Sequence, residues 1–279
     1  LLPDNTSVAD DGMAIFGGVR TDDLVTQFGT PLFVYDEDHI RKRCQEAVKA
    51  FPDGVSYASK AFLCKAIAKL VHEEGMGLDV ATIGEAYIAL QSGVPASDLT
   101  LHGNNKSMEE LRYAVDNGIG KVVIDSFDEI DKIEHLYATT KTPIKALVRV
   151  TPGVEAYTHK YVTTGQVDSK FGFTVQNGQA GKAIERARSS GAIDLIGLHA
   201  HIGSQIFTSD SFRKSTDILV KLAEHFGLPE LCVGGGLGVP YLNDESSIPI
   251  SEWGAIVHDI SSSSSATLKI TSEPGRSIV

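Results

Sequence analysis

Lys60 closes the short β-branched run VSYASK, and its position is the first in this chain to suggest covalent chemistry. An amine at the end of a strand can form a Schiff base with a carbonyl compound when burial and neighbouring cations keep it partly neutral. A plain surface lysine at a strand-to-helix turn is the competing reading. Further along, Gly234-Gly235-Gly236 in VGGGLG offers backbone amides with no Cβ in the way, a geometry that wraps a phosphate, and Ser204 in HIGSQ can add a hydroxyl. Close packing or positive φ would call for the same glycines. Glu273 precedes Pro274-Gly275-Arg276, where the proline stiffens the chain and Arg276 can grip a phosphate or carboxylate with two parallel hydrogen bonds; an acid and a base so close also make an ordinary ion pair. His201 can stack on a flat ring or exchange protons, although a histidine in a strand is often a packed core residue. His199 shares its strand face and is assigned a supporting place behind it. Asp79 and Arg149 are expected to pair with each other.

These residues matter only if the fold gathers them. From residue 55 onward, short β-branched runs alternate with longer segments of helical apolar spacing, and Gly or Pro usually marks the joints. The strand candidates are VSYAS (55–59), GLDV (77–80), LTLH (99–102), KVVI (121–124), IKALVRV (144–150), LIGLHAHI (195–202), ELCVG (230–234) and LKITSE (268–273). Ser107 stands at capping-box spacing from Glu110 ahead of one helix, Gly118 closes it, and Ser126 opens the next in the same way. Eight strand–helix units predict an α/β fold of the closed (β/α)8, TIM-like kind, with a doubly wound open sheet as the alternative. In such a barrel the working residues sit where strands end. Lys60, Asp79, His102 with Gly103-Asn104-Asn105, Arg149, His199 and His201, the glycine triplet, and Glu273 with Arg276 fall at seven of the eight ends, so they are expected to converge on one face. Residues 1–29, with the hairpin-like MAIFGGV, read as a separate substructure ahead of a lead-in strand GTPLFVYD. The connection from 151 to about 175 reads as a lid, and Ser261 to Ser265 as a mobile surface stretch.

Composition narrows the partners. At 279 residues, with 42% hydrophobic and 22% charged content, one large soluble domain is expected. A net charge of −11 with no cluster of Lys or Arg argues against nucleic acid and against anionic membrane surfaces. No apolar stretch exceeds strand length, and LLPDNTSVAD lacks the features of a signal peptide, so a cytoplasmic location is expected. Cys44, Cys64 and Cys232 are odd in number and widely spaced, which suits neither disulfides nor zinc. All three are read as reduced and two as core, and no metal is expected.

Taken together, a Schiff-base lysine, a phosphate cradle, a ring-stacking histidine and a carboxylate for a ring nitrogen match the needs of pyridoxal phosphate. A Schiff-base aldolase would share the lysine and the cradle but has no evident use for the carboxylate and histidine. The sequence resembles the fold-type III pyridoxal-phosphate decarboxylases through YASKA (57–61), LDVATIGE (78–85), LHGNNKS (101–107), DSKFGF (168–173), GLHAHIGSQI (197–206), VGGGLGVPY (233–241) and SEPGRSIV (272–279). HGNNKS and HIGSQ resemble the branch acting on diaminopimelate more than the branch acting on ornithine.

The resemblance implies that Lys60 binds the cofactor covalently, His201 stacks on its ring and Glu273 meets the ring nitrogen. It further implies that Ser204, Gly234, Gly235, Gly236 and Arg276 serve the phosphate region, with Asp79 and Gly275 also at the cofactor and Arg276 also at the substrate. A carboxylate at the ring nitrogen keeps it protonated and makes the ring a strong electron sink, which favours decarboxylation over racemisation. The implied reaction is conversion of meso-2,6-diaminopimelate to L-lysine by a homodimer. Related decarboxylases of ornithine, lysine or another amino acid, or a catalytically silent barrel, remain alternatives. Departures from the family pattern are Thr82-Ile83 where Ser-Gly is usual and Ala200 where a cysteine is usual. Residues 1–29 resemble the family's N-terminal contribution to a β-domain, with the barrel over 30–279. The rest of that domain, and the cross-subunit cysteine and tyrosine of the family, are expected in a longer protein.

Overall fold

The computed structural model describes residues 2–154, 170–265 and 267–279. Three short strands, β1 (Ser7–Val8), β2 (Ala14–Phe16) and β3 (Val19–Arg20), make an antiparallel sheet. Gly17 and Gly18 lie between β2 and β3 at φ +55° and +80°, the left-handed pair that a two-residue hairpin turn requires. Helix α1 (Thr21–Phe28) follows. The lead-in strand expected over 29–36 is not formed, because that stretch finds no ladder partner among the described residues; Phe33 is left 88% exposed. Asp36 instead caps helix α2 (Glu37–Ala50), accepting from the His39 amide at 3.1 Å.

Eight parallel strands follow in strict chain order around the sheet: β4 (Ser56–Ala58), β5 (Gly77–Val80), β6 (Leu99–Leu101), β7 (Lys121–Ile124), β8 (Ile144–Thr151), β10 (Ile193–His199), β11 (Glu230–Cys232) and β12 (Lys269–Thr271). A short additional strand, β9 (Phe173–Thr174), pairs with the end of β8 and was not legible in the sequence. It lies at the close of the expected lid, whose residues 155–169 are outside the described residues. The sheet closes on itself through a parallel bridge from Val55 to Ser272. The Ser56 and Ala58 amides donate to Ser272 and Pro274 at 2.9 and 3.0 Å. Closure excludes the open doubly wound sheet and leaves no edge to pair elsewhere.

Period-two geometry explains which side chains enter the barrel. Leu78 and Val80 of β5, Leu99 and Leu101 of β6, and Ala146, Val148 and Val150 of β8 point outward into the main core under the helices. The residues between them point inward, so Asp79 and Thr100 alternate with the outward set, and Val123, Leu147 and Cys232 form a small cluster inside. The interior is therefore unusually polar toward the strand ends.

The helices α3 (Lys65–Glu73), α4 (Ile83–Gln91), α5 (Met108–Asn117), α6 (Phe127–Thr140), α7 (Gln179–Ser189), α8 (Ser209–His225) and α9 (Ile250–Ser261) follow their strands. Ser107 and Glu110 form the expected capping box, and Gly118 is left-handed at φ +70°. Ser126 caps α6 by accepting from the Glu129 amide, but the Glu129 carboxylate turns inward and not back to the cap. No described helix follows β12; α2 lies against α9 instead. Phe51 meets Trp253 edge-on at 4.8 Å, and a Cβ on Gly254 would stand 2.6 Å from the Ala50 carbonyl, so glycine permits the close approach. The serine run carries on from α9 with hydroxyls of Ser261, Ser262 and Ser263 bonded back to the carbonyls of His258, Asp259 and Ile260. Cys44 and Cys232 are buried free thiols, as read.

Candidate active site

Glu273, just past β12, is the centre of a buried polar cluster at the strand ends. Its Oε2 accepts from His199 Nε2 at 2.8 Å, the Cys232 thiol donates to Oε1 at 3.1 Å, and His102 Nε2 lies 3.2 Å from the same oxygen. Burial alone would raise its pKa, but His102 and His199 outweigh that and hold the carboxyl well below the usual range. His199 is itself pushed down to about 4, chiefly by burial, and is a neutral donor to Glu273 at neutral pH. Asp79 is driven up to about 7 by burial and then by the like charge of Glu273, with His102 and Lys60 opposing. Their pKa values diverge because Glu273 has two imidazoles in contact while Asp79 has one, 3.6 Å away.

Lys60 stands in a single 3-10 turn, Ser59–Ala61, directly after β4. The Tyr57 hydroxyl fastens this turn by donating to the Phe62 carbonyl at 2.7 Å and accepting from the Phe62 amide at 3.1 Å. The burial expected around the Lys60 amine is not found: the side chain is exposed, because a long chain leaving a strand end reaches toward the open mouth. Its charge still acts on both Asp79 and His201. Burial first, and Lys60 next, hold the His201 imidazole well below its ordinary range. His201 Nδ1 accepts from the Gly235 amide at 3.3 Å.

All three glycines after β11 have a packing reason to be glycine. A Cβ would stand 2.3 Å from the Ala200 carbonyl at Gly234, 2.2 Å from the Glu273 carbonyl at Gly235 and 2.2 Å from the Gly203 carbonyl at Gly236. The chain ends of β10, β11 and β12 thus converge backbone on backbone. Gly275 lets the next turn lie on Ala58 and Ala61, beside Lys60. Among the described residues, the amides of Gly236, Gly275 and Arg276 donate to no protein acceptor. Ser204 is half-buried in the turn after β10. Arg276 is exposed, and its guanidinium donates to the Tyr241 hydroxyl.

The expected Asp79–Arg149 pair does not form. Arg149 lies 3.4 Å from Asp125, at the end of the adjacent strand β7, and over the Phe171 ring at 4.4 Å; Asp79 sits on β5, three strands away. Lys170 also lies over Phe171, at 5.2 Å.

The sequence reading also missed Lys106, which is 2% exposed. Its ammonium donates to the Gly103 and Val123 carbonyls at 2.7 and 2.6 Å and meets Glu129 at 2.8 Å, tying the His102 turn to β7 and α6. Lys106→Met should cost about 3–5 kcal/mol in urea unfolding, because it strands a buried carboxyl. The double replacement with Glu129→Leu should recover much of that loss. An unchanged midpoint for the single variant would show the pair to be dispensable.

Fold and mouth together define a closed barrel with a lysine and a carboxylate in contact with two imidazoles at neighbouring strand ends. The family model described as pyridoxal-dependent decarboxylase, pyridoxal binding domain, matches residues 37–279, and the chain belongs to this family, whose cofactor is pyridoxal phosphate. It is 41% identical over 293 residues to the diaminopimelate decarboxylase of Mycobacterium tuberculosis strain H37Rv, with 99% of this chain and 66% of that protein covered. The corresponding figures for the diaminopimelate decarboxylase of Bacillus subtilis strain 168 are 43% over 279 residues, 94% and 64%. The chain thus spans just under two thirds of the length of these curated relatives. The crystal structure of diaminopimelate decarboxylase from M. jannaschii in co-complex with L-lysine superposes with a TM-score of 0.92 at 29% identity, covering 100% of this chain and 68% of that one.

The residues present fit the cofactor. A primary amine, a neutral imidazole and an ionised carboxylate border one mouth, and three amides without protein acceptors lie in the turns after β11 and β12.

Proposed function

We propose that this chain is the cofactor-binding barrel of an enzyme that converts meso-2,6-diaminopimelate to L-lysine and carbon dioxide. The observation that carries the reading is the Glu273 carboxylate, held by His199, His102 and the Cys232 thiol at a strand end next to the Lys60 turn. Pyridoxal phosphate, when bound, supplies an aromatic ring that accepts the electron pair left as carbon dioxide departs. Lys60 would hold it through its amine. Glu273, kept negative by its histidine partners, would meet the ring nitrogen and keep a proton there, while neutral His201 would lie on the ring face. The amides of Gly236, Gly275 and Arg276, with the Ser204 hydroxyl, would bind the phosphate, in a turn that Gly234 and Gly235 shape by close backbone packing. Asp79 stands beside this set, and the exposed Arg276 guanidinium would also receive a substrate carboxylate.

The preference for diaminopimelate rests on two relatives of that name above 40% identity and, among solved structures, on a TM-score of 0.92 at 29% identity for the M. jannaschii diaminopimelate decarboxylase against 0.77 at 25% for the lysine/ornithine decarboxylase from Vibrio vulnificus. Residues 1–29 would belong to a β-domain: Val8 at 69% and Phe28 at 61% exposure leave apolar side chains that a further sheet would cover. Homodimer formation and a cytoplasmic location complete the proposal; no described helix is long and apolar enough to cross a membrane.

A substrate panel tests the reading. With the complete gene product and added cofactor, carbon dioxide release from meso-diaminopimelate should exceed that from L-ornithine or L-lysine by at least about 10²-fold in kcat/KM, since a site built to pair a distal polar group rejects substrates lacking it. Preference for either diamine precursor would sink it.

A further inference from the structure

Two carboxylates with little exposure, Asp79 and Glu273 (side chains 9% and 11% exposed), face the same mouth, and ionising both there is costly without a cation between them. The charged candidates can be taken in turn. Lys60 is exposed at the rim, and Arg149 is paired with Asp125 and covered by Phe171. His199 serves as a neutral donor to Glu273, and the Cys232 thiol donates to the same carboxylate. His102 alone, among the described residues, lies between the two acids, with Nε2 3.6 Å from Asp79 Oδ1 and 3.2 Å from Glu273 Oε1. That nitrogen is buried and makes an aligned hydrogen bond to neither, so it acts on the two acids through its charge at short range. Its ring stands edge-on to His199 at 5.0 Å.

We propose that His102 is a positioning residue whose charge allows Asp79 and Glu273 to face the cofactor together and fixes the Glu273 carboxylate for the ring nitrogen. This rests on the reading of Glu273 given above. The backbone is arranged for the task. The His102 amide donates to the Val80 carbonyl at 2.8 Å, seating the residue on β5, and the buried Lys106 clamps the following turn through Gly103. Burial disfavours an imidazolium here, yet Glu273 and Asp79 more than offset it and lift His102 to about 9. The groups facing it are thus Asp79 from β5, His199 from β10, Cys232 from β11 and Glu273 after β12.

Nitrogen-15 histidine spectra of the cofactor-free complete gene product should show one imidazole still protonated at pH 8. That signal should vanish in His102→Gln and titrate at lower pH in Glu273→Gln. In the loaded enzyme, His102→Gln should lower kcat about 10- to 100-fold with little change in KM, and adding Asp79→Asn should restore about tenfold, because the second replacement removes the charge that His102 balanced. A purely structural histidine would not be rescued in this way. His102 titrating in the ordinary imidazole range, no rescue by Asp79→Asn, or a stoichiometric divalent metal at this cluster would each overturn the proposal. If Glu273→Gln leaves cofactor absorbance and activity intact, the underlying Glu273 reading fails; if Glu273→Gln is crippled while His102→Gln matches wild type, only the His102 proposal fails.

Discussion

Lys60→Ala is expected to lose the visible absorbance of bound cofactor and to reduce decarboxylation by on the order of 10³-fold or more, the scale seen when a covalent group is removed from a catalytic set. The variant should nevertheless fold normally. Lys60 is exposed and its turn is held by Tyr57 and Phe62, not by the lysine side chain, so the unfolding midpoint should move by no more than about 0.5 kcal/mol equivalent. Borohydride reduction of the loaded wild-type enzyme followed by peptide mapping supplies the direct check. An adduct on any other lysine, or a Lys60→Ala enzyme retaining a tenth of its activity, would remove Lys60 from its assigned place.

Glu273→Gln carries the second large effect, a fall of about 10²- to 10³-fold in kcat, comparable to removing one preorganised charge-stabilising group. The amide has nearly the same shape, so the change isolates the charge. It also predicts a pH signature in stability. His102 has a folded pKa raised above its unfolded value, so its contribution is present below about pH 6.5 and is lost as pH rises through about 9. Glu273 supplies much of that shift. Wild-type stability should therefore fall between pH 7 and 9.5, and the fall should be smaller in Glu273→Gln, as read from thermal midpoints at the two pH values. Glu273 itself works in the opposite direction: its depressed pKa adds stability above the ordinary carboxylate range that is lost only in strong acid. Equal alkaline losses in both proteins would contradict the assigned pairing.

The barrel was legible because outward positions repeat at period two and turn residues punctuate every unit; KVVI and GLDV match β7 and β5 residue for residue. The placement of Lys60, His201 and Glu273 just past strand ends was legible for the same reason, since strand ends in a closed barrel share one face. Lateral partners were harder. Arg149 pairs with the acid on the next strand, so Asp125, at the end of KVVID, could have been found from strand order alone. The Lys106–Glu129 pair could not, because a lysine in a polar loop motif and a glutamate in the first turn of a helix carry no mark of burial. GTPLFVYD has the pattern of a strand, but pattern states only what a segment can pair with, and its partner is not among the described residues. The glycine triplet was read as a phosphate cradle with packing as the rival, and the structure supplies the packing reason without removing the other.

Ring closure through β4 and β12 also has a consequence for biosynthesis. The Asp53 carboxylate accepts from the Ile270 amide across 217 residues of sequence, so the two ends of the sheet cannot meet until the last strand has left the ribosome. At about 5–20 residues per second, that interval lasts roughly ten to forty seconds. Throughout it, the nascent sheet presents two unpaired flanks, the condition in which chaperone engagement matters most.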